Sequence, residues 1–110
     1  MHPRRGEVWW VSFDPSIGGE IQKTRPAIVI SNDAANTALN RVIVVPITSQ
    51  VAKVYPGEAI VTVNGEQRKA MADQIMTASK QRLSNRLANL SRADMTAVES
   101  AVLLQLGMRR

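Results

Sequence analysis

Arg25 and Thr48 are the two residues of this 110-residue chain whose types and flanks could meet a phosphate. Arg25 stands in TRPAIVI, where a polar loop gives way to an apolar run, and Thr48 closes a second apolar run in VVPITSQ. If the two runs are neighbouring antiparallel strands, these positions converge at one mouth of the sheet. An arginine and a hydroxyl there could hold one phosphodiester. The guanidinium offers a bidentate charged fork, and the threonine donates a hydrogen bond to a non-bridging oxygen. The alternative is a surface arginine and a threonine that merely ends a strand.

What is missing narrows the chemistry further. The chain has no cysteine, which excludes a disulfide scaffold, a thiolate metal site and cysteine catalysis. Its one histidine is His2, near the N-terminus, and no His, Cys or carboxylate cluster has metal-ligand spacing. There is no phosphate-cradling glycine loop and no serine in an elbow motif. No metal and no cofactor are expected, and any catalysis must use Arg, Lys, carboxylates or hydroxyls. The 14 basic residues outnumber the 9 acidic ones, for a net charge of +5. Such a balance favours a polyanionic partner, nucleic acid or an acidic protein, over a neutral one. The charge is spread along the chain, so a binding surface must be built by folding. No run approaches the ~18 apolar residues that span a bilayer. The stretch Met1–Glu7 is polar and lacks the apolar centre of a signal peptide. A cytoplasmic protein of one domain, residues 1–110, is expected.

The elements that must position Arg25 and Thr48 are short strands. Residues 7–13 (EVWWVSF) are rich in β-formers and predict the first strand. Residues 14–24 hold Pro15, Gly18 and Gly19 and form a loop long for a hairpin. Residues 26–31 and 42–47 predict the second and third strands. Pro46 cannot donate to a ladder and is expected at a strand end or an edge. Residues 32–40 allow a helical turn at most. Residues 58–63 predict a fourth strand, Asn64-Gly65 a hairpin turn, and 69–76 a fifth strand. A further short strand is expected near 86–90. Ser91 then suits a helix N-cap, with Asp94 completing a capping box. Met95, Val98, Val102 and Leu106 mark one helical face, Gly107 the C-cap, and Arg109 and Arg110 complement the dipole. Five to six short antiparallel strands and a C-terminal helix suggest a small half-open barrel with the helix over one face.

Four segments, Arg5–Pro15 (RGEVWWVSFDP), Gly18–Pro26 (G-x-E-x-x-x-x-R-P), Val44–Gln50 (VVPITSQ) and Ala72–Thr77 (ADQI-x-T), occur in one order and spacing. In this the chain resembles the MazF/PemK toxins, which include Kid, from about residue 4 to residue 106. The resemblance implies an SH3-like barrel of the CcdB/PemK toxin fold, and a homodimer that cuts single-stranded RNA at short sequences. It also implies an acidic, MazE-like antitoxin whose tail occupies the RNA groove. Cleavage in such proteins uses the ribose 2′-OH as nucleophile, needs no metal, and leaves a 2′,3′-cyclic phosphate and a 5′-OH.

By the same resemblance Arg25 and Thr48 are the catalytic pair, and Glu20 or Asp73 is the general base. The alternatives are a solvated loop carboxylate for Glu20 and a buried structural hydrogen-bond acceptor at the dimer interface or sheet end for Asp73. Gln22, Lys23, Ser49, Gln50, Lys53, Gln74 and Thr77 are expected RNA contacts. The chain departs from the family pattern at Ile21, where Gln is common, and at Met76, where the DQI-R-T arginine stands. It departs again at Met71, an arginine in Kid, and at Gly19, a histidine in some members, so a Kid-type His/Arg/Asp arrangement is incomplete. Met71, Met76 and Met95 are expected in packing or dimer contacts. Trp9 and Trp10 could stack on bases, but strand alternation predicts that at least one lies in the core. Two further functions fit the same fold: a non-enzymatic gyrase inhibitor like CcdB, and a basic SH3-like binding module.

Overall fold

The computed structural model describes residues 2–109, so Met1 and Arg110 lie outside the described residues. Seven strands and two helices follow one another along the chain. They are β1 (Glu7–Ser12), β2 (Thr24–Val29), α1 (Asp33–Ala38), β3 (Arg41–Thr48), β4 (Glu58–Val63), β5 (Glu66–Met71), β6 (Met76–Ser79), β7 (Leu83–Asn89) and α2 (Arg92–Gln105). Turns of 3₁₀ helix at Ala72–Gln74 and Lys80–Arg82 separate β5 from β6 and β6 from β7. All pairings are antiparallel. The order is β4-β5-β3-β2-β1-β7, with β6 also on β3. The sheet curls because β3 borders β6 with its first half and β5 with its last two residues. The result is the expected half-barrel with a terminal helix.

The single strand expected over 69–76 is broken. β5 ends at Met71, and the chain makes a 3₁₀ turn before β6 begins at Met76. No glycine or proline announces this break. Ala72 is buried in the core beside Val98 and Ala101 of α2, so packing against the helix sets the turn. The last strand likewise starts earlier than expected, at Leu83, whose side chain is buried.

Pro46 lies neither at an end nor at an edge. It sits inside a central strand, opposite Ala27. Ile30 N–H donates to Ile43 O at 2.9 Å. Hydrogen-bonded and non-hydrogen-bonded pairs alternate along an antiparallel ladder, so Pro46 falls in a non-hydrogen-bonded pair with β2. Its nitrogen therefore faces the other edge of β3, where β6 has stopped at Val44 and β5 begins only at Ile47. The missing donor costs no ladder bond there.

Two apolar clusters lie on the two faces of the sheet. Val8, Ile28, Val45, Ile47, Ala59, Val61 and Ala70 pack with Val98 and Ala101 of α2. Val11, Phe13, Ala27, Val29, Val42, Val44, Ala78 and Leu83 form the other cluster. Neither tryptophan is in the core, because register shifts in the β1–β7 pairing interrupt alternation and give the buried positions to Val8 and Val11. Trp9 is half-buried, with its Nε1 donating to Glu7 Oε1 at 3.0 Å. Met95 and Met76 pack against the two clusters.

Ser91 caps α2 by accepting from Asp94 N–H at 3.1 Å. The capping box does not close on Ser91, because Asp94 Oδ2 accepts instead from Thr62 N–H of β4 at 2.8 Å. Leu106, expected on the buried face, is 52% exposed, and Ala101 takes its place inside. Gly107, at φ 70°, ends the helix: its N–H donates to Leu104 O, and Met108 N–H donates to Leu103 O. These are the two bonds of a Schellman motif, which favours glycine at this backbone conformation. Among the described residues no helix is long and apolar enough to cross a membrane.

Candidate active site

β2 and β3 pair with Ala27 opposite Pro46, Ile28 opposite Val45 and Val29 opposite Val44. The two numbers in each pair sum to 73, and continuing that register by two residues puts Arg25 opposite Thr48. The paired stretch stops at Ala27 and Pro46, and the two residues lie just beyond its end. Both residues are half-buried, and both line a pocket of about 240 Å³ shared with Trp10, Thr24, Pro26, Ile47, Ser49 and Arg68. Arg25 Nε donates to Gln22 O at 3.0 Å, which steadies the side chain at its base. Among the described residues no carboxylate pairs with it. Thr48 Oγ1 accepts from Gln50 N–H at 3.3 Å, leaving the hydroxyl proton available for a ligand. A charged fork and a hydroxyl donor side by side are a phosphate-binding pair.

Glu20 and Asp73 do not share that pocket. They line a second one, of about 360 Å³, whose walls include Phe13, Ile21, Ile75 and Met76, with Gln74 and Arg82 as further polar groups. The β1–β2 loop joins the two pockets, reaching Glu20 in one and Arg25 in the other. Glu20 Oε1 accepts from Ile17 N–H at 2.7 Å within the loop. Asp73 is exposed on the 3₁₀ turn of the single chain. The loop is strapped at several points. Asp14 Oδ1 accepts from Lys23 N–H at 2.9 Å, and Arg82 donates to Ser12 O at 3.0 Å and to Asp14 O at 2.7 Å. Gln74 bonds Ile21 N–H and Gly19 O.

The expected RNA contacts divide accordingly. Gln22, Lys23, Ser49, Gln50 and Lys53 are exposed on the segments that leave β3 or enter β2. Gln74 has its amide on the loop backbone. Thr77 lies on β6 opposite Ile43, near the far end of β3 from Thr48, and lines neither pocket. Two basic residues near Thr48 were not anticipated. Lys69 stands opposite Thr48 in the ladder but is engaged: its Nζ lies 3.4 Å from Glu58 Oε2 and donates to Lys53 O at 3.0 Å. Arg68 lines the Arg25–Thr48 pocket and pairs with Glu66 at 2.7 Å. The expected strand began only at residue 69, which left Arg68 in the turn. The two-residue Asn64-Gly65 turn was the available signal, because such a turn lets the next strand begin at Glu66.

A curled antiparallel half-barrel with a terminal helix, and an arginine and a hydroxyl sharing one pocket at its mouth, defines a small β-protein of the toxin type. Residues 4–106 match the family model of the PemK-like, MazF-like toxins of type II toxin–antitoxin systems, and the chain belongs to that family. It is 40% identical to Endoribonuclease MazF9 of Mycobacterium tuberculosis, over 96% of this chain and 97% of that protein. It is 31% identical to Endoribonuclease EndoA of Bacillus subtilis, over 98% and 97%. Among solved structures, MazF of Deinococcus radiodurans superposes with a TM-score of 0.85 at 29% identity, covering 98% of this chain and 99% of that one. The MazE–MazF complex of the same organism gives 0.79 at 26% identity, covering 99% of both.

Proposed function

We infer that this chain is the endoribonuclease toxin of a type II toxin–antitoxin pair, and that it cuts single-stranded RNA by attack of a ribose 2′-OH on the adjacent phosphodiester. The cross-strand placement of Arg25 and Thr48 carries this inference, since it puts a charged fork and a hydroxyl donor where one phosphate can meet both. As the 2′-oxygen bonds to phosphorus and the bond to the 5′-oxygen breaks, charge grows on the non-bridging oxygens. Arg25 and Thr48 stabilise that charge. An internal nucleophile replaces an activated water, so the reaction requires no metal. Among the described residues no three His, Cys, Asp or Glu side chains cluster to hold one. Glu20 or Asp73 takes the 2′-OH proton, the leaving 5′-oxygen takes a proton from water, and the products are a 2′,3′-cyclic phosphate and a 5′-OH; Arg68, paired with Glu66, lines the same pocket. Gln22, Lys23, Ser49, Gln50 and Lys53 line the path of the RNA.

The protein works as a homodimer in the cytoplasm, where an acidic MazE-like antitoxin neutralises it. The endoribonuclease relatives favour this over gyrase inhibition. Cleavage of a messenger RNA transcript is expected to persist in excess EDTA, and a substrate with 2′-deoxyribose at the cut nucleotide is expected to resist. Loss of activity in EDTA with recovery on adding Mg²⁺ would overturn the metal-free mechanism.

A further inference from the structure

We propose that Gln74 is a positioning residue that holds Glu20 in place by clamping the backbone on both sides of it. The proposal rests on Glu20 being the general base. Gln74 Oε1 accepts from Ile21 N–H at 3.3 Å, and Gln74 Nε2 donates to Gly19 O at 3.3 Å. Gly19 C=O belongs to the peptide group before Glu20, and Ile21 N–H to the peptide group after it. One side-chain amide therefore fixes both peptide planes that flank the Glu20 Cα. The bonds span 53 and 55 residues of sequence, so they tie the long loop to the 3₁₀ turn. A primary amide carries a donor and an acceptor side by side on one planar group at any pH near neutrality. Asp73 precedes Gln74 on the same turn, so the clamp also brings the two carboxylates to one pocket.

A base must sit within hydrogen-bond reach of the proton it removes, and a misplacement of about 1 Å can cost 10²-fold. The loop carries Gly18 and Gly19 immediately before Glu20, and a Cβ at either would meet no atom within 4 Å. The glycine side of Glu20 therefore has no side-chain packing, and Gln74 adds to the restraint given by Ile21, which packs on the core, and by Glu20 N–H donating to Ile17 O at 3.2 Å.

The test is a double-mutant cycle read by single-turnover cleavage of a messenger RNA transcript at saturating protein. Gln74→Ala is expected to slow the cleavage step roughly tenfold, with the concentration for half-saturation within about twofold of wild type. Gln74→Glu keeps the acceptor for Ile21 N–H but sets an oxygen against Gly19 O, and is expected to fall between. In a Glu20→Ala background, Gln74→Ala is expected to add nothing, because its effect passes through Glu20. A full additive loss in that background, or weakened saturation instead of a slower step, would show Gln74 touching RNA directly and overturn the proposal. If Glu20→Ala alone cleaves at the wild-type rate, the assignment of the base is what fails. Hydrogen exchange at the Ile21 amide then judges the clamp by itself: protection lost in Gln74→Ala upholds it, and equal exchange in both proteins refutes it.

Discussion

At the scale of single residues, activity should depend on Arg25 more than on any other side chain. Arg25→Ala removes the charged fork at the developing phosphorane charge. A donor of this kind is worth ~3–4 kcal/mol, or roughly 10²–10³-fold in rate. Arg25→Lys should recover little, since an ammonium cannot reproduce the bidentate geometry. Thr48→Ala should cost less than Arg25→Ala, because one neutral hydrogen bond is weaker than a charge-assisted pair, and Thr48→Ser should keep most activity. Cleavage rates of the purified, folded variants check all four; a wild-type rate in Arg25→Ala would return that arginine to a surface role. This pair was legible in the sequence because its flanks, TRP and PITS, sit at the ends of unmistakable apolar runs. Arg68 was not, because a three-residue error in where β5 begins moved it from a strand to a turn.

The elements differ in how strictly the chain encodes them. The turn of the β4–β5 hairpin was readable to the residue: Asn64 at φ 50° and Gly65 at φ 80° both take left-handed values, the signature of the turn that Asn-Gly favours. Gly65→Val should destabilise the protein by ~1–2 kcal/mol, measured by denaturant melting, because a β-branched residue resists that conformation. Ser91→Ala, by removing the N-cap of α2, should cost about 1 kcal/mol, which lowers Tm by about 4–8 °C. The split between β5 and β6 was hidden, because packing of Ala72 under α2 sets it and no local turn residue does.

α1 is tied to the N-terminal segment through Asp33, whose Oδ1 accepts from Arg5 N–H at 2.7 Å. That bond, with help from Asn36 and the charges of Arg4 and Arg5, holds the carboxyl below the usual carboxylate value of 3.8. A depressed folded-state pKa adds stability above the unfolded value and loses it as pH falls through the folded one. The Tm difference between wild type and Asp33→Ala should therefore be present at neutral pH and shrink below pH ~3.8. A difference that stays constant through that range would show that the charge on Asp33 is irrelevant.

For the molecule as a whole, the net charge of +5 and the two pockets linked by one loop predict that RNA and an acidic antitoxin segment compete for the same ground. An antitoxin peptide should displace single-stranded RNA from the Arg25 face and the β1–β2 loop, as read by fluorescence anisotropy. A ternary complex with full cleavage would rule that out. The barrel itself was expected from short strands followed by one amphipathic helix. Its closure was not, since nothing local tells β1 that it will pair with β7, or β3 that it will exchange β6 for β5 at Pro46.

The pairing of β1 with β7 also sets a schedule for synthesis. β1 leaves the ribosome first, yet one of its two edges waits for residues 83–89, and the helix that covers the sheet comes later still. Arg25, Thr48 and Asp73 have all been made by then, on a sheet that still lacks its edge strand β7. Until β7 is made, that edge of β1 presents unpaired N–H and C=O groups, a ready template for pairing with another chain.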